Sequence, residues 1–187
     1  MDVAADVLLV RGYEGIRYGD VAEAAGVPVA SLQHHFPTID QLRREALCRK
    51  VRTELAALEA KVAQLSDPWA QVQEIISGSI SLNDRHRRNG WVLWLEYWRA
   101  AAHDPALAAD SREVDAAWLG LAERCIAAGT ADGSFRPDGT SHDAARELHA
   151  LIDGFGSGLA IEHGRRHAEE AIALVERAMR RLLAYAD

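Results

Sequence analysis

The sequence predicts an all-α chain, with an N-terminal three-helix domain containing a helix-turn-helix and a C-terminal domain of antiparallel helices, about nine helices in all. Three observations predict it. Apolar residues recur at helical spacing through most of the chain, and no strand-like alternation persists. Glycine, proline and capping residues interrupt that spacing at short intervals. Two short helical stretches, 18–25 and 28–35, are separated by a glycine turn.

Residues 2–11 read as a first helix, with Val3, Val7 and Val10 as its apolar stripe and Leu8 beside it. Gly12, free to take positive φ, stops it. The helix begins almost at Met1, so little or no N-terminal arm is expected. The second helix, 18–25, turns Val21, Ala22 and Ala25 inward, and Gly26 bends the chain. Pro28 suits the first turn of a third helix running to about His35, where a missing N–H costs nothing. Pro37 ends it. Thr38, with Gln41 three residues on, forms a capping box for a long helix over 39–64. Ser66 caps a helix over 67–82 that has Pro68 in its first turn. Asp84 to Asn89 is a polar break or a short helix, and residues 90–103 form a tryptophan-rich one. Pro105 opens the next, to about Ala128. Gly129, Gly133, Pro137 and Gly139 mark 129–139 as a loop. Ser141 begins a helix that reaches about His163, Gly164 breaks it, and the last helix spans about 168–186.

The 187 residues suffice for one large or two small domains with a sizeable core. No apolar run approaches the roughly 20 residues of a membrane span, and no basic leader precedes one, so a cytoplasmic protein is expected. Cys48 and Cys125 lie far apart without a CxxC partner and read as reduced thiols. The net charge of −7 excludes a chain uniformly coated for nucleic acid. The first 50 residues are close to neutral, so a small DNA-reading face remains compatible with it.

Such a face is written into residues 18–36, YGDVAEAAGVPVASLQHHF. A helix-turn-helix needs small residues where its helices cross, and Ala22, Ala25 and Gly26 supply them. It needs apolar anchors, and Val21, Val27, Leu32 and Phe36 fit. That leaves Val29, Ala30, Ser31, Gln33, His34 and His35 exposed. Glutamine can bond adenine edges, serine and histidine can reach phosphate, and a small apolar side chain can meet a thymine methyl.

The stretch from Gly12 to Leu42, GYEGIRYGDVAEAAGVPVASLQHHFPTIDQL, closely resembles the DNA-binding domain of the TetR family of regulators. The shared pattern is the Gly-Tyr after the first helix, D-V-A, A-G-V, S-L-x-H-H-F-P and the leucine that follows. From residue 91, WVLWLEYWRAAAHDPALAA, ADGSFRPDG and ALIDGFGSGLA resemble the BetI-type sensing half of that family. The resemblance implies a DNA-binding domain over 1–46 and a ligand-binding and dimerisation domain over 47–187. It implies a homodimer on a double-stranded DNA operator, a repressor released by a small-molecule effector of unidentified chemistry. By position, Val29, Ala30, Ser31, Gln33 and His34 would face bases, and Arg17, Tyr18, His35 and Thr38 the phosphate backbone. Three positions depart from the family pattern. Gln33 stands where tyrosine is usual, Ile39 where a phosphate-contacting lysine is common, and Arg17 where a threonine often caps the second helix.

In the second half, Trp91, Trp94, Leu95 and Trp98 share one helix face, and Trp118 lies on the following helix. Indole faces attract cations, so these residues are candidates to line a flat or cationic ligand, with core packing as the other reading. His149 and Asp153 are the polar candidates beside them. Leu148, Leu151, Ile152, Phe155 and Leu159 form one apolar stripe, and Ile172, Val175, Met179, Leu182 and Leu183 another. The resemblance implies that these two helices pair with their two-fold mates as a four-helix bundle. Gly154, Gly156 and Gly158 within a helix point to a close approach or a bend.

Two other classes stay open. One is a helical small-molecule-binding protein without sequence-specific DNA binding. The other is an all-α enzyme, invited by eight histidines, among them His163 and His167 at i, i+4. No HExxH, ExxH pair, GxSxG or phosphate loop supports the enzyme, and no cofactor or metal motif is present.

Overall fold

A computed structural model of the chain describes residues 2–80, 84–161 and 165–185, with the backbone alone at 84–90 and 165. Among them are α1 (Asp2–Arg11), α2 (Tyr18–Ala25), α3 (Val29–His35), α4 (Ile39–Val62), α5 (Pro68–Ile80), α6 (Asp84–Ala101), α7 (Pro105–Ala131), α8 (Ser141–Leu159) and α9 (Arg165–Leu182). They group into two compact units. Unit one comprises Met1–Glu54 and Leu93–Arg112; unit two comprises Leu55–Val92 and Glu113–Asp187. The helices α4, α6 and α7 therefore each contribute to both.

In unit one, α1 packs on α2 and α2 on α3. Gly12 and Gly26 both take left-handed φ, 75° and 66°, where a side chain would be strained. At α2 the N-cap is Arg17, whose guanidinium has no acceptor to offer the helix. Asp20 compensates by accepting the Arg17 N–H at 3.0 Å. Thr38 accepts the Gln41 N–H at 3.2 Å at the start of α4, while the Gln41 amide turns to Glu45 rather than closing the box. The buried stripe of α1 is Ala4, Ala5 and Leu8. This corrects the sequence expectation: Val3 and Val10 are exposed. The small alanine side chains let the backbone of α1 lie close on the core.

In unit two, α5, α8 and α9 pack on one another around Val72, Ile76, Leu148, Ile152, Val175 and Met179. Several boundaries differ from the sequence expectation, two of them by joining a segment to a helix. The segment from Asp84 to Asn89 is helical and opens α6. α7 runs through Gly129 to Ala131, where a loop was expected, because the ring of Phe135 folds back onto Gly129. A Cβ at Gly129 would overlap that ring. Gly156 of α8 has the same role toward Trp91, whose six-membered ring occupies the space of a Cβ. Gly156→Ala should therefore cost about 1–2 kcal/mol in a urea melt, because overpacking outweighs the helix-propensity gain. A gain in stability would show that the indole can move aside. α8 ends at Leu159, short of the expected His163, and α9 spans Arg165–Leu182 rather than 168–186; His163, Gly164 and Ala186 themselves lie outside the described residues.

Candidate nucleic-acid interface and effector site

α3 turns Val29, Ala30, Ser31, Gln33, His34 and His35 to solvent, while Leu32 and Phe36 are half-buried beneath it. The end of α3 is tied to the start of α2, where the Tyr18 hydroxyl donates to the Phe36 carbonyl at 2.5 Å. Arg17 donates to the Glu14 and Ile16 carbonyls at 2.7 and 3.2 Å, bracing the loop before α2. Arg43 reaches the same two carbonyls from α4. Two of the backbone-facing candidates thus have structural bonds of their own. Thr38 is exposed and Ile39 half-buried at the start of α4.

All six basic side chains of the first 50 residues have partners. Arg11 pairs with Asp20, Arg43 with Asp40, Arg44 with Asp104, Arg49 with Asp2 and Lys50 with Glu54, while Arg17 is held by carbonyls. The Asp2 carboxyl is held below its ordinary range by the hydrogen bond from Arg49 and that residue's charge. The exposed face of α3 is hydrogen-bonding in character, and these pairings leave little free positive charge on the arginines and lysine of the first 50 residues.

A second cluster in unit one centres on Asp110. It accepts the Tyr97 hydroxyl at 2.6 Å, pairs with Arg52 and bonds the Cys48 thiol. Burial pushes the Asp110 carboxyl up, but these three donors together hold it below its ordinary value. Burial, then the Asp110 hydrogen bond and charge, push the Cys48 thiol up to about 12, so it is an unreactive thiol at neutral pH.

The proposed tryptophan stripe is divided between the units. Trp91 is buried in unit two against Gly156. Trp94 and Trp98 belong to unit one, half-buried and 5.9 Å apart by ring centroids, with Leu95 exposed. Unit two does bring Trp118, His149 and Asp153 together. The Trp118 and His149 rings lie 4.8 Å apart, and His149 Nδ1 is 3.5 Å from Asp153. Trp118 Nε1 donates to Ser79 at 3.4 Å.

Burial raises the Asp153 carboxyl above its usual value of 3.8, His149 opposes that shift, and Asp115 adds to it. A raised carboxyl favours the folded state below its unfolded value, and that contribution is lost as pH rises through the folded value. Asp153→Asn should therefore gain stability relative to the wild type as pH rises above the ordinary carboxyl value of 3.8 in thermal melts. A difference constant with pH would remove the charge from the account.

The dimer candidates Leu148, Ile152, Leu159, Val175, Met179 and Leu183 are buried within unit two itself. Leu151, Phe155, Ile172 and Leu182 are half-buried. The apolar surface that α8 and α9 leave open is a groove of about 400 Å³ lined by Gly154, Phe155, Gly158, Leu159, Ile161, His167, Glu170, Ala171 and Leu174. Gly154 and Gly158 have nothing within 4 Å of a would-be Cβ, so packing inside the protomer does not require glycine at either position.

Residues 1–46 match the family model for bacterial regulatory proteins of the tetR family. Residues 68–184 match the C-terminal domain of BetI-type transcriptional repressors. The chain belongs to the TetR family. A TetR relative, the transcriptional repressor KstR2 of Rhodococcus jostii, is 27% identical over 140 residues, 74% of this chain and 67% of that protein. A TetR regulator from Haloarcula marismortui superposes with a TM-score of 0.83 at 19% identity, over 97% of this chain and 94% of its own. A transcriptional regulator from Saccharomonospora viridis in complex with choline superposes at 0.78 and 23% identity, over 97% of this chain and 92% of its own. These TetR matches make the chain a DNA-binding regulator with the all-α fold expected from its sequence.

Among the described residues, no three His, Cys, Asp or Glu side chains are placed to hold a metal ion, and no helix is long and apolar enough to cross a membrane. Sequence reasoning missed Ser79 and Asp115 beside the Trp118 cluster and the whole Asp110 cluster. Their partners come from separate helices, and no local spacing signals them.

Proposed function

We propose that the chain is a cytoplasmic homodimeric repressor. It holds a double-stranded operator through α3 and releases it when a small molecule binds in unit two. The observation that carries this reading is the row of exposed hydrogen-bonding and small apolar side chains along α3, within the segment that matches the TetR DNA-binding model. Val29, Ala30, Ser31, Gln33 and His34 face base edges in the major groove; His35 and Thr38 lie along the backbone. Arg17 and Tyr18 act at the backbone mainly by fixing the peptide groups they bond. The test is a Gln33→Ala variant assayed against a library of operator variants. Loss of one side-chain contact should weaken preference at one base pair of each half-site by about 1–3 kcal/mol. Unchanged preference would mean that another surface reads the DNA.

Trp118, His149 and Asp153 are the effector contacts this reading favours, combining an indole face with a titratable pair in one unit. Effector binding there favours a conformer whose two heads no longer match major grooves about 34–36 Å apart. α4, α6 and α7 each contribute residues to both units. The dimer forms through the α8–α9 groove. Two features support that placement. Ile161 and Leu174 are exposed, at 76% and 39%, and Gly154 and Gly158 sit one turn apart, where a second helix could approach closely.

A further inference from the structure

α1 buries Ala4, Ala5 and Leu8 and leaves its three valines outside the core. Val3, 39% exposed, Val7, half-buried, and Val10, 81% exposed, follow one another at i, i+4 and i+7. With Ala24 of α2 they floor a groove of about 420 Å³. Its walls carry Asp6, Asp20 and Glu23 against one cation, Arg11, which is paired with Asp20 at 3.3 Å. Isolated exposed valines need no explanation, but an aligned row along a groove marks a surface that something covers. No α3 residue lines it, so the groove and the reading face are separate surfaces of unit one.

The spacing and the charge say what fits. Seven helical residues rise about 10 Å, the length over which a docked helix presents apolar side chains at i, i+3 or i+4, and i+7. The acidic rim repels nucleic acid and also a second copy of the same groove, because two like rims would face each other. It attracts a cationic partner. We propose that the α1–α2 groove docks a basic amphipathic helix of another protein. Its apolar side chains seat on Val3, Val7 and Val10, and its lysines or arginines meet Asp6 and Glu23. The contact is small, which places it among transient interactions and brings the partner to the unit that carries α3.

The test uses the full-length protein and a fluorescent synthetic helix of leucine and lysine, with leucines at i, i+3, i+4 and i+7, read by anisotropy at physiological salt. Saturable binding is expected. Val3→Ser with Val10→Ser, both at exposed positions, should weaken it by about tenfold or more without altering charge. Glu23→Lys should weaken it by a similar factor. Glu169→Lys makes the same charge change at an exposed position on α9 and should leave binding unchanged. The proposal is overturned if Glu169→Lys weakens binding as much as Glu23→Lys, which would show bulk charge alone. It is equally overturned if the valine variant binds as the wild type does, or if a leucine–glutamate helix binds as well. Self-association that the valine substitutions abolish, seen by sedimentation without peptide, would assign the groove to a second copy instead.

Discussion

Asp110→Ala is expected to destabilise the protein by about 2–4 kcal/mol, the range for removing one partner of a largely buried charged network. The Asp110 side chain is 13% exposed and joins three donors from two other helices, Tyr97 on α6 and Cys48 and Arg52 on α4. Tyr97 is fully buried, so its hydroxyl loses an acceptor that water does not readily replace. Tyr97→Phe, which deletes the donor instead, should cost only about 1 kcal/mol. The Asp110 carboxyl is held below its ordinary value of 3.8, so its stabilising contribution is present at neutral pH and is lost as pH falls below that value. The cost of Asp110→Ala should consequently be smaller in acid than at neutral pH. Urea melts at pH 7 and pH 3 measure both effects. A cost below about 0.5 kcal/mol at pH 7 would mean that the network adds nothing beyond packing.

If the α8–α9 groove holds the proposed dimer together, Leu174→Asp combined with Ile161→Asp should give a monomer and weaken operator binding by about 10²–10⁴, the factor by which linking two heads raises avidity. Both side chains are exposed in the protomer, so the fold should tolerate the charges that the dimer would have to bury. Sedimentation velocity and a DNA titration read the two effects. A variant that stays dimeric moves the interface away from the α8–α9 groove. A monomer that binds as tightly as the wild type would show that each head acts alone.

The fold class was legible because helical periodicity and glycine–proline punctuation are local signals. So was the exposure of the α3 face, since the α2–α3 turn lies within twenty residues, although Ala25 and Val27, expected inside, are exposed. What could not be read depends on contacts between distant segments. In α1, valine and alanine stripes both have helical spacing; only the close packing on α2 decides that Ala4, Ala5 and Leu8 go inward. Gly129 looked like a helix stop until Phe135 filled the space its missing side chain leaves. The tryptophan spacing on α6 was correct, but periodicity cannot tell that Trp91 belongs to one compact unit and Trp94 and Trp98 to the other. The stripes of α8 and α9 were correct as apolar faces too. Amphipathicity alone does not say whether such a face packs inside one protomer or against another. Most of these residues are protomer core, and Gly154, Gly158, Ile161 and Leu174 remain open.

In the proposed repressor, specificity comes from hydrogen-bonding and apolar base contacts rather than from a basic surface. A fluorescence-anisotropy titration separates the two, using DNA that flanks the protein's own coding sequence, against a scrambled duplex, across a range of salt. Binding should favour the native sequence. Its log–log salt slope should be shallow, about −2 to −4 for the dimer, because few phosphates meet an unpaired cation. Equal affinity for the native and scrambled duplexes at low salt, in the absence of any small molecule, would mean that α3 does not read sequence.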